Sequence, residues 1–222
     1  MLAALHDPIL VVVSLAAVLG LVLAARAGGA RGVPPLALRK SLHVAVGLWT
    51  VFITPLFHHL AWALVPPLVF LGANASGKTS QWAPSVAEAG SAASRRGLWT
   101  FPLGVAIAYL LFWQAPGRAP ILAGCAVLAL ADPVAAMVGR RWGQRRLHPI
   151  GHARTLEGSL AFFLVAAIVI GWIAAWRTPG AFPLRLSVGA GSIGAAAEAV
   201  APPGWDNLIV PLAVAVAYHW LA

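Results

Sequence analysis

Acidic residues are scarce in this chain: six Asp and Glu among 222 residues, against 15 Lys and Arg. Charge of either sign reaches only 9%, where a soluble domain carries about 25%. A water-facing surface therefore has too little to be built from, and a soluble globular domain is excluded. Cysteine is nearly absent as well. Cys125 stands alone inside an apolar run, which excludes an internal disulfide and a cysteine metal cluster. No long polar stretch separates the apolar runs, so residues 1–222 read as a single membrane-embedded domain. The N-terminus lacks the basic region of a secretory signal, and Ala25-Arg-Ala27 only loosely resembles a cleavage site. The first apolar run is expected to be retained as a helix, with Asp7 in a tail before it.

Apolar residues fill the gap, at 60% of the chain. They form eight runs: Ile9–Ala25, Leu42–Phe57, Leu60–Ala73, Leu98–Trp113, Ala119–Val138, Leu160–Trp176, Leu184–Val200 and Leu208–Ala222. A bilayer span needs about 20 apolar residues, so helix ends are expected to reach into the loops. The reading is an all-α polytopic membrane protein of about eight transmembrane helices. The number falls to seven if the third run, broken by Pro66 and Pro67, is re-entrant.

The net charge of +9 would point to nucleic acid in a soluble protein. Here the cations sit in short loops, so topology explains them and no nucleic-acid partner is expected. With the N-terminus outside, the inner loops hold Arg26, Arg31, Arg39, Lys40, Lys78, Arg95, Arg96, Arg140, Arg141, Arg145, Arg146 and Arg154. The outer loops hold only Arg118, Arg177 and Arg185. This is the positive-inside pattern, and it supports eight spans. Trp99, Trp113, Trp172, Trp176, Trp205 and Trp220 lie near run ends, as interfacial anchors do. The absence of a visible internal repeat argues against a two-halved transporter.

Apart from Asp7 and the loop residue Glu88, the acids are Asp132, Glu157, Glu198 and Asp206, all within or at the inner ends of later helices. Asp132 follows Ala126-Val-Leu-Ala-Leu-Ala131 and lies roughly 12 Å along the helix from Arg140. A carboxylate in a span costs at least about 2.5–3.5 kcal/mol. Asp132 therefore needs a partner, a metal or a water-filled site. A structural ion pair meets that need; so does a catalytic or metal role, which the small residues Ala136, Gly139 and Gly143 at helical spacing favour by admitting a ligand. After it, Gly139-Arg-Arg-Trp-Gly-Gln-Arg-Arg146 and Gly151-His-Ala-Arg-Thr-Leu-Glu-Gly-Ser159 interleave glycine with arginine. Such a flexible loop suits phosphate, through backbone N–H groups and forked guanidiniums. Arg145 and Arg146 read as ordinary topogenic charge; Arg140, Arg141 and Arg154 read as phosphate ligands. Thr155 can cap the sixth helix, and Glu157 sits in its first turn, where the dipole favours an anion.

Arg39 and Lys40 open the second helix, against the macrodipole. Either topology or a bound polyanion accounts for them. His43, at i+4 from Arg39, can face the same ligand or be an ordinary core histidine. Glu198, Asp206 and Asn207 flank Pro-Pro-Gly at a helix end. Asp206 is either a plain N-cap or, with its neighbours, an oxygen ligand for Mg²⁺, which takes oxygen donors and keeps phosphate in its shell.

Gly72-Ala-Asn-Ala-Ser-Gly-Lys-Thr79 matches the P-loop pattern letter for letter. It is rejected, because that loop needs a sheet strand before it and a helix after it, and about 24 residues between two membrane runs leave no room for a parallel sheet. Lys78 stays available to phosphate on other grounds.

Taken in order, Arg39-Lys-x-x-His43, Asp132-x-x-Ala-Ala-x-Val-Gly-Arg-Arg-x-Gly143, Thr155-Leu-Glu-Gly-Ser159 and Glu198 followed by Asp206-Asn-Leu-Ile-Val-Pro211 resemble the CTP-dependent lipid kinase family, which includes phytol kinase, dolichol kinase and the CTP-dependent diacylglycerol kinase. The chain departs from it at Ala131, usually Gly there, and at Arg154, usually Lys. The resemblance implies transfer of the γ-phosphoryl group of CTP to a lipid alcohol with Mg²⁺. Phytol, farnesol or a polyprenol is favoured, with geranylgeraniol and diacylglycerol open. It implies Asp132, Asp206 and Asn207 on the metal, and Glu157 and Glu198 as further ligands or bases beside Asp132 and His43. Arg39, Lys40, Arg140, Arg141 and Arg154 would hold phosphates, with Gly139, Gly143 and Thr155 in the same nucleotide-binding stretches. The lipid would enter sideways between helices of a multi-pass protein of the cytoplasmic membrane, at its cytoplasmic face. A cytidylyltransferase making a CDP-lipid is the first rival reading. A non-enzymatic transporter or scaffold is the second, and expects Asp132 paired with a cation of another helix.

Overall fold

The computed structural model describes residues 2–77, 92–147, 154–177 and 183–222. Lys78, Glu88, Gly151 and His152 lie outside the described residues. Among those described the fold is all-α, with helices α1 (Leu2–Ala30), α2 (Pro35–Ile53), α3 (Leu60–Ala75), α4 (Ala92–Phe112), α5 (Ala119–Trp142), α6 (Leu156–Arg177), α7 (Leu184–Val200) and α8 (Asp206–Leu221). Each coincides with one apolar run. Short 3-10 turns at Thr54–Leu56 and Pro116–Arg118 precede α3 and α5, and two-residue strands β1 (Arg146–Leu147) and β2 (Arg154–Thr155) stand between α5 and α6. Four helices, α1, α2, α5 and α6, are long and apolar enough to cross a membrane, whereas α3 and α8 have 16 residues each.

α6 shows why the bundle belongs in lipid. Phe162, Ala166, Ile170 and Ala174 face inward at i+4 spacing and are essentially buried. Leu160, Leu164, Ile168, Trp172 and Trp176 form the opposite stripe and are 52–73% exposed. A helix apolar on every face is stable only where its outer stripe meets hydrocarbon. The central helix is α5, whose residues from Ala119 to Ala129 are all buried. Gly47 lets α2 touch it: a Cβ at this glycine would stand 2.6 Å from the Ala129 Cβ. Such small-residue contacts bring helix backbones together in membranes.

Polar contacts sort the helix ends into two groups. At one end Arg39 pairs with Ser94, Lys40 with Asp132, Arg96 with the Pro203 carbonyl and Arg154 with Glu198. These tie the starts of α2, α4, α6 and α8 to the later turns of α5 and α7. At the other end Asp7 meets His59, and Arg118 donates to the Thr54 and Phe57 carbonyls.

Several expectations change. Pro66 and Pro67 do not break α3, which is one continuous helix. Both prolines are buried and face a cavity, and packing against neighbours offsets the backbone bonds they forfeit. Residues Gly72–Ala75 are the last turn of that helix, so no strand leads into the P-loop-like stretch. Asp7 is not in a tail; it lies within α1 and is 3% exposed. Trp113 is buried rather than an exposed anchor, with the Arg118 guanidinium 3.7 Å above its ring. The ends of the arginine-rich loop are held by a ladder, Arg146 opposite Thr155 and Leu147 opposite Arg154. Gly139 and Gly143 serve that ladder by close contact: a Cβ at Gly139 would lie 2.7 Å from the Thr155 Oγ1.

Candidate active site

Asp132 is 6% exposed, on the turn of α5 that Pro133 interrupts. A proline there has no N–H to give the preceding turn, which loosens the helix at the acid. Lys40 of α2 pairs with its Oδ2, and His43, one turn further along α2, donates from Nε2 to the Leu128 carbonyl at 3.2 Å. Asp132 is thus paired with a cation of another helix, as the scaffold reading expects, and it also lines a cavity.

A second cluster adjoins the first. Arg154, the last cation before α6, reaches Glu198 Oε1 with Nη1 at 2.8 Å and Asp206 Oδ2 with Nη2 at 3.5 Å. Glu198 is 3% exposed at the end of α7, and Asp206 opens α8. Asp206 Oδ1 also accepts the Asn207 N–H at 3.0 Å, while Asn207 Nδ2 donates to the Gly97 carbonyl at 2.9 Å. The backbone turn at Gly204, with φ +84°, brings α7 back into α8 here. Three carboxylates, Asp132, Glu198 and Asp206, therefore gather with the cations Lys40 and Arg154, and Arg39 and Arg140 border the same spaces.

Two cavities meet at Lys40. One, of about 160 Å³, runs between α2, α3 and α4. Its mouth carries Arg39, Lys40, His43, Asp132, Asp206 and Asn207, and its depth is apolar, with Trp49, Ile53, Phe57, Pro67 and Phe101 in the wall. From Arg39 to Ile53 it follows α2 for about 20 Å. Tyr109 lines it too, its hydroxyl bonded to Thr54 at 2.7 Å. The other, of about 270 Å³, has Leu36, Ala135 and Ala136 in its wall and carries the polar groups of Lys40, Arg140, Arg154, Thr155, Ser159 and Glu198 beside Gly139. Among the described residues three buried polar atoms lack a partner, Ser14 Oγ, Trp49 Nε1 and Ser159 Oγ. The first two belong to residues lining the apolar cavity and the third to one lining the polar one. Unsatisfied buried groups are rare in folded proteins, and water or a ligand in either space can serve these.

Not every residue singled out in the sequence joins them. Glu157 lies outside both linings and its carboxylate accepts the Arg145 N–H at 3.2 Å. Arg141 is exposed with its guanidinium 5.8 Å from the Trp142 ring. Arg140 borders the polar cavity while bonding its own helix at the Ala136 carbonyl. Thr155 caps α6, its Oγ1 accepting the Gly158 N–H at 3.1 Å. Ser94 and Asn74 went unnoticed in the sequence. The first pairs with Arg39, and the second lines the apolar cavity and donates to the Leu98 carbonyl at 2.7 Å. Ser94 belongs to no motif and Asn74 only to the rejected P-loop-like stretch, so proximity alone reveals their places.

The chain is similar to a phytol kinase. Over 116 residues it is 35% identical to the curated phytol kinase of Synechocystis sp., a match that covers 46% of this chain and 47% of that protein. The chain therefore matches about half the length of this curated relative, which supports kinship with lipid kinases. No family model and no solved structure matches the chain.

Proposed function

We propose that this protein is a membrane lipid kinase. It transfers the γ-phosphoryl group of a nucleoside triphosphate, CTP by the motif resemblance, to the hydroxyl of an isoprenoid-type lipid alcohol. The observation that carries the reading is the Lys40–Asp132 pair between an apolar cavity and a polar one. A lipid alcohol and a triphosphate need just such a pair of chambers with a shared wall. The curated relative supports the same reaction class.

In this reading the alcohol's tail lies along α2 and its hydroxyl rests at Asp132, the buried carboxylate of the apolar cavity's mouth. Asp132 accepts the hydroxyl proton as the oxygen attacks the γ-phosphorus, and the nucleoside diphosphate leaves. Lys40 and Arg154 hold the phosphate oxygens and neutralise the charge that spreads over them in the transition state. Lys40 reaches both chambers, so it orients the two substrates in line. Asp132, Asp206 and the Oδ1 of Asn207 are hard oxygen donors of the kind Mg²⁺ takes. That ion supplies further neutralisation of the triphosphate when bound. Glu198 keeps Arg154 aimed at the polar chamber. The positive-inside count supports placing this end of the bundle at the cytoplasmic face, in a reading of eight spans with the N-terminus outside.

The test is transfer from γ-labelled CTP, or ATP in parallel, to a panel of isoprenoid alcohols and diacylglycerol in detergent with Mg²⁺. Label in a lipid phosphate, abolished by Asp132→Asn, is the expected result. Pyrophosphate released only when a lipid phosphate is supplied would instead make the protein a cytidylyltransferase. Silence with both substrate classes, from folded protein, would leave the scaffold reading.

A further inference from the structure

Asp132 is not the only acid this fold buries. At the opposite end of the helices, His6 and Asp7 of α1 meet His58 and His59, the two residues before α3. Lys40 and Ile53 are about 20 Å apart along α2, so this cluster is remote from the phosphate chamber. Asp7 Oδ2 accepts the His59 backbone N–H at 2.9 Å and lies 2.7 Å from the His59 ring Nδ1. Its Oδ1 accepts the His58 backbone N–H at 3.0 Å and faces the Nδ1 atoms of His6 at 3.1 Å and His58 at 3.9 Å. One ligand atom each from His6, Asp7 and His58 falls within a 4.8 Å set.

We propose that His6, Asp7 and His58 form a binding site for Zn²⁺ or a similar borderline divalent ion. Two imidazole nitrogens and one carboxylate oxygen are the donors such an ion takes, with water in the fourth position. Tetrahedral ligands at 2.0–2.1 Å from zinc stand about 3.3 Å apart, close to the separations already present. The acid is preorganised: two backbone N–H groups and the His59 ring fix the carboxylate, in the manner of the outer partners that orient metal ligands. Anchoring the turn before α3 needs only those two N–H bonds, so it leaves the convergence of His6 and His58 unexplained. The His6 and His58 rings lie 4.3 Å apart and nearly parallel. Binding turns them about their Cβ–Cγ bonds, which their side-chain exposures of 40% and 64% allow. Arg118, from the turn before α5, does not compete for the acid, since its guanidinium is committed to the Thr54 and Phe57 carbonyls and the Trp113 face.

The ion would pin the start of α1 to the turn between α2 and α3. That helix has a narrow buried seam, Asp7, Val11, Ser14, Val18 and Ala25, made of small or short side chains. A metal tie would reinforce the contact that Asp7 already makes with the His58 and His59 backbone N–H groups.

The experiment is a Co²⁺ titration of the full-length protein in detergent after chelation, followed by visible absorption and by competition with Zn²⁺. One equivalent should bind with the intense bands of a low-coordinate nitrogen-containing site. His58→Ala and His6→Ala, both at solvent-accessible positions, should each weaken it at least tenfold, as loss of even an outer partner often does. Asp132→Asn should leave it unchanged, which separates this site from any cation bound at the phosphate chamber. Absence of binding by folded protein would overturn the proposal. So would binding that survives both histidine substitutions, or that disappears only with Asp132→Asn.

Discussion

The Lys40–Asp132 pair offers the sharpest discrimination between a working site and a scaffold contact. Its side chains are 24% and 8% exposed, so both charges are largely withdrawn from water. Replacing Lys40 by Met leaves the Asp132 carboxylate buried without its principal counter-charge. Removing one member of a buried pair costs about 3–5 kcal/mol, and the partial exposure of Lys40 sets the expectation near 3 kcal/mol. Adding Asp132→Leu removes the stranded charge. The double variant should recover its stability or exceed the parent's, because an apolar pair of similar volume is often neutral or stabilising by 1–4 kcal/mol. Function should not recover. Loss of a positioned proton acceptor alone costs about 10²–10⁴-fold, and the phosphate contact of Lys40 goes with it. Denaturant unfolding in micelles reads the first quantity and γ-label transfer reads the second. A double variant that is stable and transfers phosphate within tenfold of the parent would refute the reasoning, and the pair would be a helix clamp.

Arg154→Ala should raise the KM for nucleotide far more than that for the alcohol, since Arg154 borders only the polar chamber. It should also lower stability by roughly 3 kcal/mol by stranding Glu198. Thr50→Phe fills the apolar cavity partway along α2. Turnover of the longest alcohols should fall while short ones are retained, measured as kcat/KM across a chain-length series. Gly139→Ala drives a Cβ to 2.7 Å from the Thr155 hydroxyl, an overpacking worth about 1–3 kcal/mol that should appear as a lower unfolding midpoint and a weakened β1–β2 ladder by hydrogen exchange.

Much of the architecture was legible before any coordinates. Among the described residues each of the eight apolar runs lies in a helix, and four of those helices are long and apolar enough to cross a membrane, where a helix satisfies its own backbone. The Thr155 cap was equally readable, being a local hydrogen bond between residues three apart. Prolines misled: Pro66-Pro67 looked like a break, yet buried neighbours sustain α3. Asp7 misled too, since nothing local in the sequence tells that His58 and His59, fifty residues on, would bury it.

The sequence by itself determined the solvent, the helix content and the short set of groups able to do chemistry, because hydropathy, loop charge and scarcity of acids are properties of the chain. Only the tertiary structure decided which of those groups meet. It drew Asp132, Lys40, Glu198, Asp206 and Arg154 together and left Glu157 facing a backbone N–H outside both cavities. It also formed two cavities that share Lys40, one reaching Asp132 and Asp206 and the other Arg140, Arg154 and Glu198. Those outcomes depend on how α2 and α5 touch at Gly47 and how Gly204 turns α7 into α8. Contacts between residues 92 positions apart, as Lys40 and Asp132 are, arise from packing the whole bundle, and no local pattern encodes them.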